Sequence, residues 1–286
     1  MVASTIQQEW TGVLSPADWD REFPGILDGI GLLGGTANVI MQLAHPAVGY
    51  GVKESRVESG SIIKHPFKRT RTTLTYLGIA LTGSTEEKLA YRRAVSRAHA
   101  QVTSTPQSPV AYRALDNNLQ LWVAACTLKG FLDSYDKFQG GMSLAQRQRF
   151  YDLAKPLGTT LQVRPEDWPA SYEAFEAFFQ QGLNQAQIDD TIREFLMVLV
   201  DMRFMPAPVR LLFGRLNRLM TVSYLPPTLR EQMQLKWTSK DQLDAARLEK
   251  IIGHSNRLMP RVIRQLPHLY FMWDIRRRLK NQQSLI

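Results

Sequence analysis

The stretch NNLQLWVAACTL, Asn117 to Leu128, carries no charged side chain and places Leu119, Trp122, Val123 and Cys126 on one face of a helical turn. Almost nothing charged interrupts its other faces, so the spacing predicts a helix near the centre of the molecule. Asp116, just before it, is placed to cap it by accepting from backbone amides that the first turn leaves free. A chain built around such a helix is expected to be all-α.

Upstream, RRAVSRAHAQV (Arg92 to Val102) reads as a second helix, with Tyr91, Ala94, Val95, Ala98, His99 and Val102 on one side. Arg92, Arg93 and Arg97 fall largely on the wetter side, which turns His99 inward. Either both ring nitrogens are satisfied by core hydrogen bonds, or one of them holds something.

The other periodic segments are helical too, with little strand signal and no internal repeat. Ser15-Pro16 opens a short helix, and GGTANVIMQLAHP gives one that runs to His45, where Pro46 limits continuation. LTYLGIAL is mostly apolar and ends at Gly83-Ser84, ahead of the His99 helix. Ser143 caps a helix through Lys155, ASYEAFEAFFQQ forms another, and IDDTIREFLMVLV a strongly apolar one before Pro206 and Pro208. Three later helices are expected. Thr228 with Glu231, and Ser239 with Gln242, have capping-box spacing. No stretch looks like a flexible linker, so residues 1–286 are read as a single globular helical domain.

The 286 residues are 44% hydrophobic, enough for a sizeable core. The single cysteine, Cys126, rules out an internal disulfide and a cysteine-rich zinc or iron–sulfur site, and fits a reducing compartment. A net charge of +9 invites nucleic acid or anionic membrane as a partner. The arginines are scattered along helices without interleaved aromatics or a nucleic-acid motif, so no nucleic-acid partner is expected.

The dense run RRRLK, Arg276 to Lys280, follows Trp273 and precedes NQQSLI. It reads as a solvated or frayed tail over 275–286, with a contact to an anionic surface as the sharper alternative. MVASTIQQEWTG has neither a basic leader nor a signal-length apolar core, so the protein is expected to be cytoplasmic. Gly29 to Val52 is free of formal charge, but Asn38, Gln42, His45, Pro46 and its glycines suit a buried helix ending in a tight bend, not a membrane span.

Among the five histidines, His45, His65, His99, His254 and His268, no two are three or four apart, which removes the usual zinc and di-iron spacings. There is no Gly-x-Ser-x-Gly elbow and no phosphate-binding Gly-Lys loop. GLLGG has glycines at 31, 34 and 35 without the dinucleotide spacing. An inward histidine in a helical core remains, the setting in which one axial imidazole can hold iron porphyrin. Spacing alone favours the blander reading, a satisfied core imidazole.

Four segments, GGTANVIMQLAHPAVGYGVKES, HPFKRTRTT, RRAVSRAHAQV and AYRALDNNLQLWVAA, follow in order the motif series of a helical family. Over roughly residues 25–270 the chain resembles the family of latex-clearing rubber oxygenases and the fungal MpaB-type oxygenase, also catalogued as DUF2236. The resemblance is strongest from Gly34 to Ala125, with LGTTLQV, WP and LPPTLREQ agreeing more weakly.

That resemblance implies a buried pocket for haem b with His99 as the axial iron ligand, its other nitrogen donating to a carbonyl or carboxylate. The family's Arg-x-x-x-Thr segment resembles Arg69 and Thr73, an arginine to hold a propionate or orient oxygen and a hydroxyl to hydrogen-bond an oxygen ligand. Rubber oxygenases place a lysine where this chain has Thr72; the ligand-gating lysine is absent, which argues for an open or water-bound iron and against rubber as the substrate, and Thr72 is counted among the cofactor-binding residues. Glu54 lies close to where the family carries an acidic residue proposed as a base, with different local spacing, so the resemblance implies a catalytic Glu54 and the structural alternative is an exposed carboxylate.

Each residue also has a structural reading. Arg69 and Arg71 suit a solvated basic helix start, and His45 suits a helix end with its ring bonded to local backbone. Tyr112, Asp116 and Trp122 look architectural, Trp122 in the core or against a porphyrin edge. The implied activity is that of a haem-dependent oxygenase using dioxygen on an apolar, alkene or isoprenoid-like small molecule, cleaving a carbon–carbon double bond to carbonyls. The alternatives are a non-catalytic haem- or hydrophobe-binding protein, and an enzyme that uses His99 as a general base without haem.

Overall fold

The computed structural model describes Trp10, residues 14–57 and residues 60–286; the amino-terminal stretch inspected for a leader lies, apart from Trp10, outside the described residues. Among the described residues the chain is all-α, with fifteen α-helices and one isolated antiparallel bridge between Thr103 and Arg113. It forms one helical domain.

Helix α1 (Pro16–Glu22) leads through a 3-10 turn at Gly29–Gly34 into α2 (Gly35–Leu43) and α3 (Pro46–Lys53). Then come α4 (Pro66–Thr82) and α5 (Thr85–His99), joined by Gly83-Ser84. The long α6 (Asn117–Gln139) precedes α7 (Leu144–Ala154), the single turn α8 (Pro156–Thr159), α9 (Tyr172–Gln185) and α10 (Asp190–Val200). The chain closes with α11 (Ala207–Tyr224), α12 (Pro227–Gln232), α13 (Ser239–Leu258), α14 (Arg261–Arg264) and α15 (Leu266–Lys280).

Helix starts follow local capping chemistry. Capping boxes form at Ser15 with Asp18, Ser84 with Glu87 and Ser143 with Gln146. In the last third the expected boxes are replaced. Thr238 with Asp241 caps α13, one residue ahead of the Ser239 and Gln242 pair. Pro226 and Pro227 start α12 with no side-chain cap, so Thr228 and Glu231 form no box. Five helices follow Pro206 where three were expected, because Pro226, Pro260 and Pro267 each cut an apolar run. His45 does not end the GGTANVIMQL helix; it is the N-cap of α3, with Pro46 in the first turn.

Helix α6 is the central element. Asp116 Oδ1 accepts from the amides of Asn118 (2.9 Å) and Leu119 (3.2 Å), and Gly140, at φ 96°, ends the helix in a left-handed turn. Trp122 and Cys126 are buried as the pattern predicts, while Leu119 and Val123 are only half-buried; burial runs instead round Leu121, Ala124, Ala125, Leu128 and Leu132. The reason is the surroundings: α6 touches the 3-10 turn, α2, α7, α8, α9 and α13. Each large side chain sealed in this way contributes about 1.5–3 kcal/mol.

Two further packings position the rest. Trp19 and Phe23 each meet Phe150 edge-on, at 5.8 and 5.3 Å, and lie tilted to one another at 5.9 Å, and the Trp19 indole donates to Leu81 O at 3.0 Å, which fixes α1 on α4 and α7. Helix α15 lies along α4, where buried Asp274 pairs with Arg71 at 3.6 Å and Arg278 at 2.7 Å. Arg71 is thus an ion-paired packing residue, not part of a solvated helix start. The Arg276 to Lys280 run is the last turn of a packed helix, so the tail shortens to residues 281–286. Among the described residues no helix is long and apolar enough to cross a membrane; Gly29 to Val52 is broken into the 3-10 turn, α2 and α3.

Candidate functional site

His99 is the last residue of α5, three residues short of the expected helix end. The chain stops being helical there because residues 102–114 bond to each other: Ser104 N donates to Tyr112 O and Ala114 N to Val102 O, both at 2.9 Å, around the Thr103–Arg113 bridge. Tyr91, Ala94 and Val95 are buried on the inward face as the pattern predicts, and His99 and Ala98 are half-buried. Arg92 departs from the wet-side expectation. It is half-buried, and its guanidinium donates to the carbonyls of Thr159 and Leu161.

The His99 ring is held from one side. Its Nδ1 lies 3.1 Å from Gln162 Oε1 and 3.1 Å from Gln120 Nε2. Gln162 Nε2 donates to Ser96 Oγ at 3.0 Å, one turn back on α5, and Gln120 Nε2 also donates to Ala114 O, so both amides are oriented. They ask for opposite tautomers. A protonated Nδ1 donates to the Gln162 carbonyl and leaves a lone pair on Nε2; a bare Nδ1 accepts from Gln120 and puts the proton on Nε2. Nε2 itself has no hydrogen-bond partner among the described residues and is not sealed from solvent.

Burial pushes the His99 pKa below its ordinary 6.5; the Gln162 bond opposes that shift and the positive charge of Arg69 adds to it. The imidazole is therefore neutral at physiological pH, the form that can donate a lone pair.

Arg69, in the first turn of α4, is near enough for its charge to act on His99. It is half-exposed by surface but ringed by protein, and that desolvation lowers its pKa from the ordinary value. No carboxylate among the described residues pairs with it within 4 Å. Thr72 is half-buried and its hydroxyl donates to Arg69 O at 2.9 Å, while its own carbonyl accepts from the Tyr91 hydroxyl. Thr73 is exposed.

Glu54, Trp122 and His45 make no hydrogen bond to His99. Glu54 Oε2 accepts from Ser108 Oγ at 2.6 Å and Tyr112 OH at 2.9 Å, fastening the end of α3 to loop 100–116. Trp122 is 3% exposed, stacks on Phe179 at 5.6 Å, and donates its indole N–H to Gln42 O at 3.1 Å. Its contacts are those of a core residue. His45 Nδ1 is buried with no well-formed hydrogen bond among the described residues; burial lowers its pKa, and the Asp116 charge and a contact with its own backbone oppose that shift.

Sequence reasoning missed Gln120 and Gln162, the two residues that fix the imidazole. Neither has motif spacing to His99, although Gln120 lies within the AYRALDNNLQLWVAA segment and Gln162 within the weaker LGTTLQV. Among the described residues no cluster of three acidic, cysteine or histidine groups is placed to hold a metal ion, so a metal here depends on a carrier that supplies its other ligands.

Fold and site define an all-helical protein organised around a neutral, inward imidazole with one nitrogen anchored and the other uncommitted. Residues 25–254 match the family described as "ER-bound oxygenase mpaB/B'/Rubber oxygenase, catalytic domain", and the chain belongs to that family. It is 42% identical over 250 residues to an uncharacterized protein of Mycobacterium bovis and equally to one of Mycobacterium tuberculosis, covering 87% of this chain and 98% of each relative. No solved structure matches.

Proposed function

We propose that the protein is a haem b oxygenase in which His99 Nε2 would ligate the iron. The observation that carries this is the one-sided anchoring of the ring, with Nδ1 fixed and Nε2 uncommitted. The donor fits the group: ligation through Nε2 selects the tautomer in which Nδ1–H donates to Gln162 Oε1, and that bond raises the basicity of the ligating nitrogen. Family membership supports an oxygenase.

The other residues take roles their surroundings allow. Arg69, a desolvated cation without a carboxylate, suits a propionate or another anionic oxygen. Thr72 and Thr73 bring hydroxyls on the same helix, Thr72 where the rubber oxygenases have an amine. Glu54 holds loop 100–116, the segment leading from His99 to Gln120, so we give it a positioning role. When bound, the haem supplies the iron chemistry that activates dioxygen. The substrate is an apolar alkene or isoprenoid-like molecule: one carbon–carbon double bond and one dioxygen give two carbonyls, with no further electrons needed. The single cysteine suits a cytoplasmic setting.

The test is an optical spectrum with a pyridine haemochrome assay on wild type, His99→Ala and Gln162→Leu. Wild type is expected to show a Soret band, and His99→Ala to lose most haem while keeping its helical circular dichroism. Gln162→Leu is expected to hold haem about tenfold or more weakly. Equal pigment in wild type and His99→Ala overturns the assignment. Dioxygen uptake matched to carbonyl products from an isoprenoid alkene supports the oxygenase; haem binding without uptake reduces the protein to a carrier.

A further inference from the structure

Helix α15 shows apolar and aromatic side chains to solvent as well as to the core. Its inward face carries Met272, Ile275 and the buried carboxylate of Asp274. Its outward stripe runs Leu266, Leu269, Tyr270 and Trp273, then Arg276, Arg277 and Lys280, at spacings of three and four. Tyr270 and Trp273 are 51% and 54% exposed. The apolar surface continues backwards through Val262 and Ile263 on α14, 65% and 56% exposed, and Leu258, 75% exposed. Contiguous apolar surface with a polar rim marks a place where something docks.

Charge says what. Residues 251–286 contain seven arginines and lysines and one carboxylate side chain, Asp274, which is buried and paired with Arg71, Arg278 and, at 3.8 Å, Arg277; Asp20 and Asp28 from the start of the chain pair with Arg261 and Arg264, which still leaves the segment with an excess of cations. Arg276 is held by Glu87 at 2.8 Å, and the Arg277 guanidinium lies over the Trp273 ring at 5.1 Å. A cavity of about 420 Å³ lies beside this face, where α15 meets Pro16 and the end of α4 at Thr82, and Leu269, Trp273, Arg277 and Lys280 are among its lining residues. A second copy of the chain would bring the same excess of cations, whereas an anionic bilayer supplies both acyl chains and phosphates.

We propose that α14 and α15 dock the protein on an anionic phospholipid surface, the apolar and aromatic side chains entering the interface and Arg277 and Lys280 meeting headgroup phosphates. The helix lies in the plane of the interface and does not cross it. Tyr and Trp suit that boundary because each has an apolar ring and a polar edge. This docking face does not depend on the haem assignment.

The test uses the full chain with phosphatidylcholine vesicles, with and without phosphatidylglycerol. Trp273 is the one exposed tryptophan of six, so it reports insertion directly. Flotation with the phosphatidylglycerol vesicles only, a blue-shifted emission quenched by brominated acyl chains, and weakening at raised salt are expected. Tyr270→Glu with Trp273→Glu, and separately Arg277→Glu with Lys280→Glu, should each weaken flotation about tenfold or more without changing the thermal melt. Absence of wild-type flotation, or flotation that both pairs leave intact, overturns the proposal. So does a wild-type dimer that Tyr270→Glu with Trp273→Glu turns into a monomer while neither binds vesicles, since a second copy would then cover the face.

Discussion

At the scale of single residues, burial sets the charge state of the imidazoles. His99 and His45 are pushed below their ordinary 6.5, and His268, enclosed between α4 and α15 with Nε2 3.3 Å from Thr82 Oγ1, falls to about 4. A lowered histidine pKa means that the unfolded chain takes up the proton first as pH falls. Stability is therefore intact above pH 6.5 and is lost as pH drops from 6.5 to 4. At ~1.4 kcal/mol per unit, His268 alone accounts for about 3 kcal/mol of that loss. Thermal melts across this window should show the midpoint falling, and His268→Gln should flatten much of the fall; an unchanged slope would show that His268 is not the group responsible. That His99 turns inward was legible from helical spacing. The identity of its anchors was not, because Gln120 and Gln162 reach it from other elements.

At the scale of elements, local chemistry starts the helices and long-range packing decides how they meet. The caps at Ser15, Ser84, Asp116 and Ser143 lie within four residues of the amides they satisfy, so they can be read directly. The end of α5 cannot, since it depends on residues 102–114 pairing with one another. The approach of α9 to α6 rests on Gly182: a Cβ there would sit 2.1 Å from the Trp122 ring. Gly182→Ala should destabilise the protein by about 1–3 kcal/mol through overpacking. That outweighs the ~1 kcal/mol that alanine gains over glycine within a helix. Urea denaturation measures the net, and a more stable variant would mean that the two helices have room to part.

For the whole molecule, a buried polar cluster helps to tie an early segment of the chain to a late one. Asp28 is 5% exposed and accepts from Arg264 at 2.7 Å and Asn256 at 2.6 Å, joining the 3-10 turn to α13 and α14. Arg264→Leu leaves a buried carboxylate without its cation, and the midpoint of urea unfolding should move by the equivalent of about 3–5 kcal/mol. Adding Asp28→Asn should recover part of that loss, and no recovery would place the damage in packing instead of charge. The sequence by itself determined the helical class, most helix starts, the central place of α6 and the inward turn of His99, because periodicity and capping act over a few residues. Only the tertiary structure decided that two amides hold the imidazole by Nδ1, that Trp122 belongs to the core, and that α15 buries its aspartate while showing its aromatics. Those are contacts between segments far apart in the chain, and no local spacing encodes which side chains fill the gaps when helices pack.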